Sequence, residues 1–108
     1  MVNKANGENQ LQVEIDKLIH EPARLKILAQ LYVVESADFL FIMTQTGLTQ
    51  GNVSGHLNKL ESAKYLSIEK TFVGKKPLTM ISMTQLGKKA FKSYVESMQQ
   101  VFNGIKSQ

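Results

Sequence analysis

The chain has 108 residues, 43% hydrophobic and 20% charged. That describes one folded domain around a single modest core and excludes a disordered chain. It contains no cysteine, which excludes disulfides, thiolate metal centres and thiol redox chemistry. The net charge of +4 is unevenly placed: residues 1–48 hold 4 basic and 6 acidic side chains, and residues 49–108 hold 9 basic and 3 acidic. The second half is therefore the half suited to a polyanion, although lysines also cluster on solvated surfaces that bind nothing. Residues 1–10 are polar and no apolar run approaches the length of a membrane span, so the expectation is a cytoplasmic protein without a membrane partner.

Residues 1–10 read as a flexible N-terminal arm, and 11–108 as one domain. Leu11, Ile15, Leu18 and Ile19 predict a short amphipathic helix running up to His20. Pro22 suits the first turn of a second helix over 22–34. Its apolar residues Leu25, Ile27, Leu28, Leu31, Tyr32 and Val33 occupy much of the circumference, which predicts a central, buried position. Glu35-Ser36-Ala37-Asp38 breaks that helix, and 39–46 forms a short third one ended by Gly47.

Thr49 is a good N-cap placed directly after the Gly47 turn. Behind it, Val53, Leu57 and Leu60 recur at i, i+4 and i+7 and form one narrow apolar stripe. Gly51, Ser54, Gly55, Asn58 and Ser62 fall on the opposite side, flanked by Asn52 and Lys59, with Gln50 at the leading edge. An ordinary solvated helix face carries Glu and Lys. This one is small, uncharged and rich in amides, and Gly55 in mid-helix costs about 0.5–1 kcal/mol against Ala. Amides that pair with adenine, beside glycines that permit close approach, suit a helix lying in a DNA major groove. The plainer reading is a surface helix with incidental Gly and Asn. A short helix, a turn and a second helix make a helix-turn-helix over 39–64.

Beyond Lys64 the period changes from 3.6 to 2. Leu66, Ile68 and Phe72 predict a strand over 66–73, residues 73–77 a turn with Lys75 and Lys76, and Thr79, Ile81 and Met83 the returning strand. The result is a two-stranded ribbon over 66–83 with a basic tip. Thr84 caps a long last helix over 84–105, whose residues Phe91, Tyr94, Val95, Met98, Val101, Phe102 and Ile105 keep a seven-residue repeat.

Helix, helix, helix-turn-helix, ribbon, helix is the order of a winged helix. Leu48-Thr49-Gln50-Gly51-Asn52-Val53-Ser54-Gly55-His56-Leu57-Asn58-Lys59-Leu60-Glu61 resembles the recognition-helix signature of MarR/ArsR-like winged-helix transcriptional regulators. Phe72-Val73-Gly74-Lys75-Lys76-Pro77-Leu78-Thr79 is similar to the wing of their compact prokaryotic subgroup, and Met83-Thr84-Gln85-Leu86-Gly87 to its entry into the last helix. The resemblance covers residues 15–100. It implies a mainly α fold with a small β-ribbon: a winged helix-turn-helix with extra N- and C-terminal dimerisation helices. It implies a homodimeric repressor, binding double-stranded DNA at a palindromic operator and leaving room for an effector.

The expected DNA contacts are Thr49, Gln50, Gly51, Asn52, Ser54, Gly55, His56, Asn58 and Lys59 from the recognition helix, with Lys75, Lys76 and Thr79 from the wing. The expected dimer interface joins Leu11, Ile15, Leu18 and Ile19 to Phe91, Tyr94, Val95, Met98, Val101, Phe102 and Ile105. Folding of the last helix back over its own domain is the alternative. His56 stands beside the core stripe and either touches a phosphate or holds the helix by a hydrogen bond. Lys88, Lys89 and Lys92 read as a solvated face, with contact of the first turn to DNA phosphates as the alternative.

The apolar run Phe39-Leu40-Phe41-Ile42-Met43 departs from the family pattern. Leu40, Phe41 and Met43 are either covered by terminal helices or form a partner-binding patch, and the patch motivates a second function: a protein-interaction module on a winged-helix scaffold. ArsR-type thiolate sensing is excluded by composition. His20, Asp16 and Glu21 are too few for a metal site, and no cofactor or metal is expected. No nucleophile, base and orienter stand at suggestive spacing, so no enzyme is expected.

Overall fold

The computed structural model describes residues 13–106. Its elements run α1 (Pro22–Val34), β1 (Ser36–Asp38), α2 (Phe39–Thr46), α3 (Gln50–Ser62), β2 (Leu66–Val73), β3 (Lys76–Met83) and α4 (Gln85–Lys106). This is a winged helix, with a small antiparallel sheet in the order β1-β3-β2.

Each helix starts where a side chain can satisfy its free N–H groups. Glu21 caps α1 by accepting the Arg24 N–H at 2.8 Å, with Pro22 following in the first turn. Asp38 caps α2 through the Phe41 N–H at 2.8 Å, and Thr49 caps α3 through the Asn52 N–H at 3.2 Å. Gly47 ends α2 at φ +71°, in the left-handed region that glycine enters without strain.

The core joins Ile19 to Ile27, Leu28 and Leu31 of α1, Ile42 of α2, Val53, Leu57 and Leu60 of α3, Leu66, Ile81 and Met83 of the sheet, and Phe91 and Tyr94 of α4. The expected α3 stripe is therefore the buried one. Residue 87 explains how tightly α4 meets the end of α3. A Cβ there would stand 2.1 Å from the Tyr65 carbonyl oxygen, so only glycine allows this approach. Thr84 fastens the same joint, donating its hydroxyl to the Lys64 carbonyl at 2.6 Å and accepting the Gly87 N–H at 2.9 Å.

Three expectations change. The helix predicted up to His20 is absent over its described part: 13–16 are irregular and 17–19 form a turn. Asp16 is the cause. Its Oδ1 accepts the N–H groups of Leu18 and Ile19 at 2.9 and 3.2 Å, so it caps a single turn that cannot begin before residue 17, and the extended Glu21 ahead of Pro22 ends that turn. Leu11 lies outside the described residues. Next, α1 is buried on one side only, since Tyr32, Val33 and Val34 at its end are exposed. Finally, the ribbon has a third strand. Ser36, Ala37 and Asp38 pair with Ser82, Ile81 and Met80, which buries Ala37.

Candidate nucleic-acid interface

The outward side of α3 is assembled as the spacing requires. Val53, Leu57 and Leu60 anchor it to the core, and Thr49, Gln50, Gly51, Asn52, Gly55, Asn58 and Lys59 are exposed, with Ser54 half-buried. Space around the two glycines is open: a Cβ on Gly51 or Gly55 would meet nothing within 4 Å. Internal packing therefore does not require glycine at either position. The first turn of α3 carries no acidic residue, which leaves its positive dipole end uncompensated toward an approaching phosphate.

His56 turns out to face inward. Arg24 donates from Nη1 to His56 Nδ1 at 3.2 Å, since a guanidinium has donors only, and Glu21 Oε1 stands 4.0 Å from the same nitrogen. Arg24 also donates from Nε to the Leu18 carbonyl at 2.6 Å. His56 thus ties α3 to the start of α1, the structural one of its two expected roles. The Glu21 carboxyl lies below its ordinary range, chiefly because it accepts the Arg24 backbone N–H. Burial opposes that shift, and the His56 and Arg24 charges add to it.

The wing is a regular two-residue hairpin. Val73 pairs with Lys76 across Gly74 and Lys75, and Gly74 has φ +65° while Lys75 stays out of the positive-φ region. Glycine at the first central position is what a type II′ hairpin needs. Lys75 and Lys76 are exposed at its tip. Between wing and α3 runs a groove of about 700 Å³, lined by Gln50, Ser54 and Asn58 on one side and Lys70 and Thr79 on the other. Asp38, Phe39 and Leu40 close its end.

Lys70 was not among the expected contacts. Its signal was the strand alternation, which puts Lys70 on the face of Ile68 and Phe72. The apolar run of α2 resolves differently from a patch. Phe41 and Met43 are partly buried against the core, and Leu40 alone is largely exposed, at 69%.

Part of the expected dimer stripe lies in the protomer's own core. Ile19, Phe91 and Tyr94 are buried, with Tyr32 and Phe91 ring centroids 5.2 Å apart and His20 Nδ1 2.8 Å from the Tyr94 hydroxyl. Ile15, Leu18 and Met98 are partly buried against the same core. The first half of α4 folds back as the alternative reading had it, because Gly87 lets it close on Tyr65. Val95, Phe102 and Ile105 remain exposed and Val101 is half-buried.

Among the described residues no group of three or more His, Cys, Asp or Glu could hold a metal, and no helix is long and apolar enough to cross a membrane. A family model described as a winged helix DNA-binding domain matches residues 23–102. An uncharacterized protein from Methanocaldococcus jannaschii is 34% identical over 89 residues, covering 82% of this chain and 97% of that one. A transcriptional regulator homologue from Pyrococcus horikoshii superposes with a TM-score of 0.79 at 24% identity, covering 94% of this chain and 97% of that one. A MarR-family transcriptional regulator from Silicibacter pomeroyi gives a TM-score of 0.59 at 14% identity, over 95% of this chain and 64% of that one. These structures share the MarR-like winged-helix fold.

Proposed function

Starting from a chain that belongs to the winged helix DNA-binding domain family, we propose that it is a sequence-specific transcriptional regulator, a homodimeric repressor that binds a palindromic operator through the major groove. The observation that carries this is the amide- and glycine-rich outer face of α3, on which Lys59 is the one charged side chain. Gln50, Asn52, Ser54 and Asn58 surround two glycines that no internal contact requires, and Lys70 of the wing stands across one groove from Gln50, Ser54 and Asn58. Base edges would be read by the amides, with Gly51 and Gly55 allowing close approach. The flanking phosphates would be held by Lys70, Lys75, Lys76 and the Thr79 hydroxyl.

The proposed chemistry also limits the target. The chain has one arginine, Arg24, and it is held by Leu18 and His56. The outer face therefore has no guanidinium to grip guanine O6 and N7, and its amides match adenine N6 and N7. A selection of genomic fragments on the purified full chain at about 150 mM salt, the physiological range, tests the reading. The expected outcome is a shared inverted repeat whose contacted positions are rich in A·T pairs. Recovery of unrelated fragments in proportion to their length would defeat sequence-specific recognition.

Dimerisation rests on the apolar residues that the protomer leaves open: Tyr32, Val33 and Val34 at the end of α1, and Val95, Phe102 and Ile105 along α4. A single recognition helix reads only a few base pairs, and two related by a twofold axis read two half-sites about 34–36 Å apart.

A further inference from the structure

At the outer end of the wing, Phe72 and Val73 are 69% and 65% exposed. Phe72 pairs across the ribbon with Pro77, and Val73 with Lys76, so both faces of the tip are apolar just behind the turn. A ribbon that projects into water ordinarily carries polar and charged residues on its open positions. Phe72 continues the row Leu66, Ile68, Lys70, whose first member is buried and whose second packs on the core. It lies beyond the point where the body can cover it.

Its surroundings say what can cover it. Residues 70–79 contain Lys70, Lys75 and Lys76 and no acidic residue. The matching surface is apolar and bordered by anions. The edge of a DNA minor groove has that character, since deoxyribose carbons face outward between successive phosphates. The groove is about 6 Å wide. It is too narrow for two strands with side chains on both faces, and it admits only the turn. The turn and its closing pair Val73–Lys76 enter, and Phe72, in the next pair with Pro77, is then left at the lip of the groove, against the sugars.

We propose that Phe72 packs on the deoxyribose edge at the lip of the minor groove and gives the wing an uncharged grip on duplex DNA, beside the charged grip of Lys75 and Lys76. The inference rests on the DNA-binding reading above and adds a term of different physical kind. Lysine–phosphate contacts release counterions and weaken with salt. Burial of an aromatic ring on sugar carbons releases none.

The experiment uses the full chain, one duplex recovered by selection and one random duplex. Affinity is measured across a salt series for wild type, Phe72→Ala and Phe72→Leu, with thermal unfolding as a control on the fold. Phe72→Ala is expected to weaken binding to both duplexes roughly five- to tenfold at every salt concentration, leaving the slope of log K against log salt unchanged. Phe72→Leu is expected to restore most of the loss. In hydroxyl-radical footprints, Phe72→Ala should lose protection of the minor-groove sugars beside the half-site, while chemical protection of the adenine N7 atoms read in the major groove persists.

An unchanged affinity, a changed slope, or a loss confined to the selected duplex would overturn the assignment. So would a smaller oligomer for the free variant, because Phe72 would then be covered by a second copy of the chain. If the wild type binds neither duplex, the DNA-binding reading itself fails. If the wild type binds and Phe72→Ala is indistinguishable from it, only the role of Phe72 fails.

Discussion

Asn58 stands near the middle of the exposed face of α3, one turn beyond Ser54, and lines the groove toward the wing. As a base-reading amide it should matter on the right sequence and little on the wrong one. Asn58→Ala is expected to weaken binding to the selected operator by roughly 1–3 kcal/mol and to leave random-sequence binding nearly unchanged. Equal losses in a competition titration would place Asn58 on the backbone instead. Gly87 has a different importance, since its replacement sets a methyl group against the Tyr65 carbonyl. Gly87→Ala is expected to cost roughly 3 kcal/mol in urea unfolding, at the upper end for overpacking, because the obstructing atom is backbone. Tyr65 provides a pH signature. Burial first, then the Asp16 hydrogen bond and the Asp16 charge, push its phenol from 10.0 up to about 12. The unfolded phenol loses its proton first, so this stabilisation is complete below pH 10 and is lost as pH rises from 10 toward about 12. Tyr65→Phe should flatten that part of the melting-temperature curve, and a wild-type steepness in the variant would assign the alkaline loss to other groups.

The elements were legible where pattern and capping agreed. Thr49 after Gly47, with Val53, Leu57 and Leu60 behind it, specified α3, and the alternation around Ile68 and Ile81 specified the wing. Strand β1 could not be read because it has three residues, two of them polar, and its pairing partner is more than forty residues away. The chain before His20 misled for a local reason: apolar residues at helical spacing are confined to one turn between the Asp16 cap and the extended Glu21 that precedes Pro22. Hydrophobic spacing also could not divide the α4 stripe between core and open surface. Phe91 and Val95 look alike in a heptad, and it is the close approach of α4 to Tyr65 at Gly87 that brings the first against the core while the second stays open. The wing allows an element-level prediction. Replacing Lys75 and Lys76 together by Ala should lower affinity for all sequences and reduce the salt slope by about 0.9 for each phosphate that is no longer neutralised. A slope equal to that of the wild type would show that the tip does not reach the backbone.

The whole molecule is long for its size. Its extents are 67 × 25 × 20 Å and its radius of gyration is 17.0 Å, against about 13 Å for a compact domain of 100 residues. Helix α4 has 22 residues and is therefore about 33 Å long, and Phe102 and Ile105 near its end are exposed. A twofold partner placed there would cover the open side chains of α1 and α4 together. Sedimentation of the intact chain at tens of micromolar, the concentration range of ordinary biophysical work, is expected to give a dimer. A monomer that still binds its operator with full affinity would remove the dimer from the proposal.

The joint at Gly87 has a mechanical meaning. Helix α3 ends at Ser62, and three residues later the backbone of Tyr65 touches α4 with no side chain between them. Such a contact has no compliance, because there is no rotamer to yield. In the proposed dimer, two stiff rods carry two reading heads without slack. The protein then behaves as a caliper, in which the angle between the rods alone sets the distance between half-sites. One residue inserted into α4 beyond the joint would swing the reading head by about 100° around the rod. Base pairs added between half-sites would therefore be accommodated by twisting the DNA and not by flexing the protein.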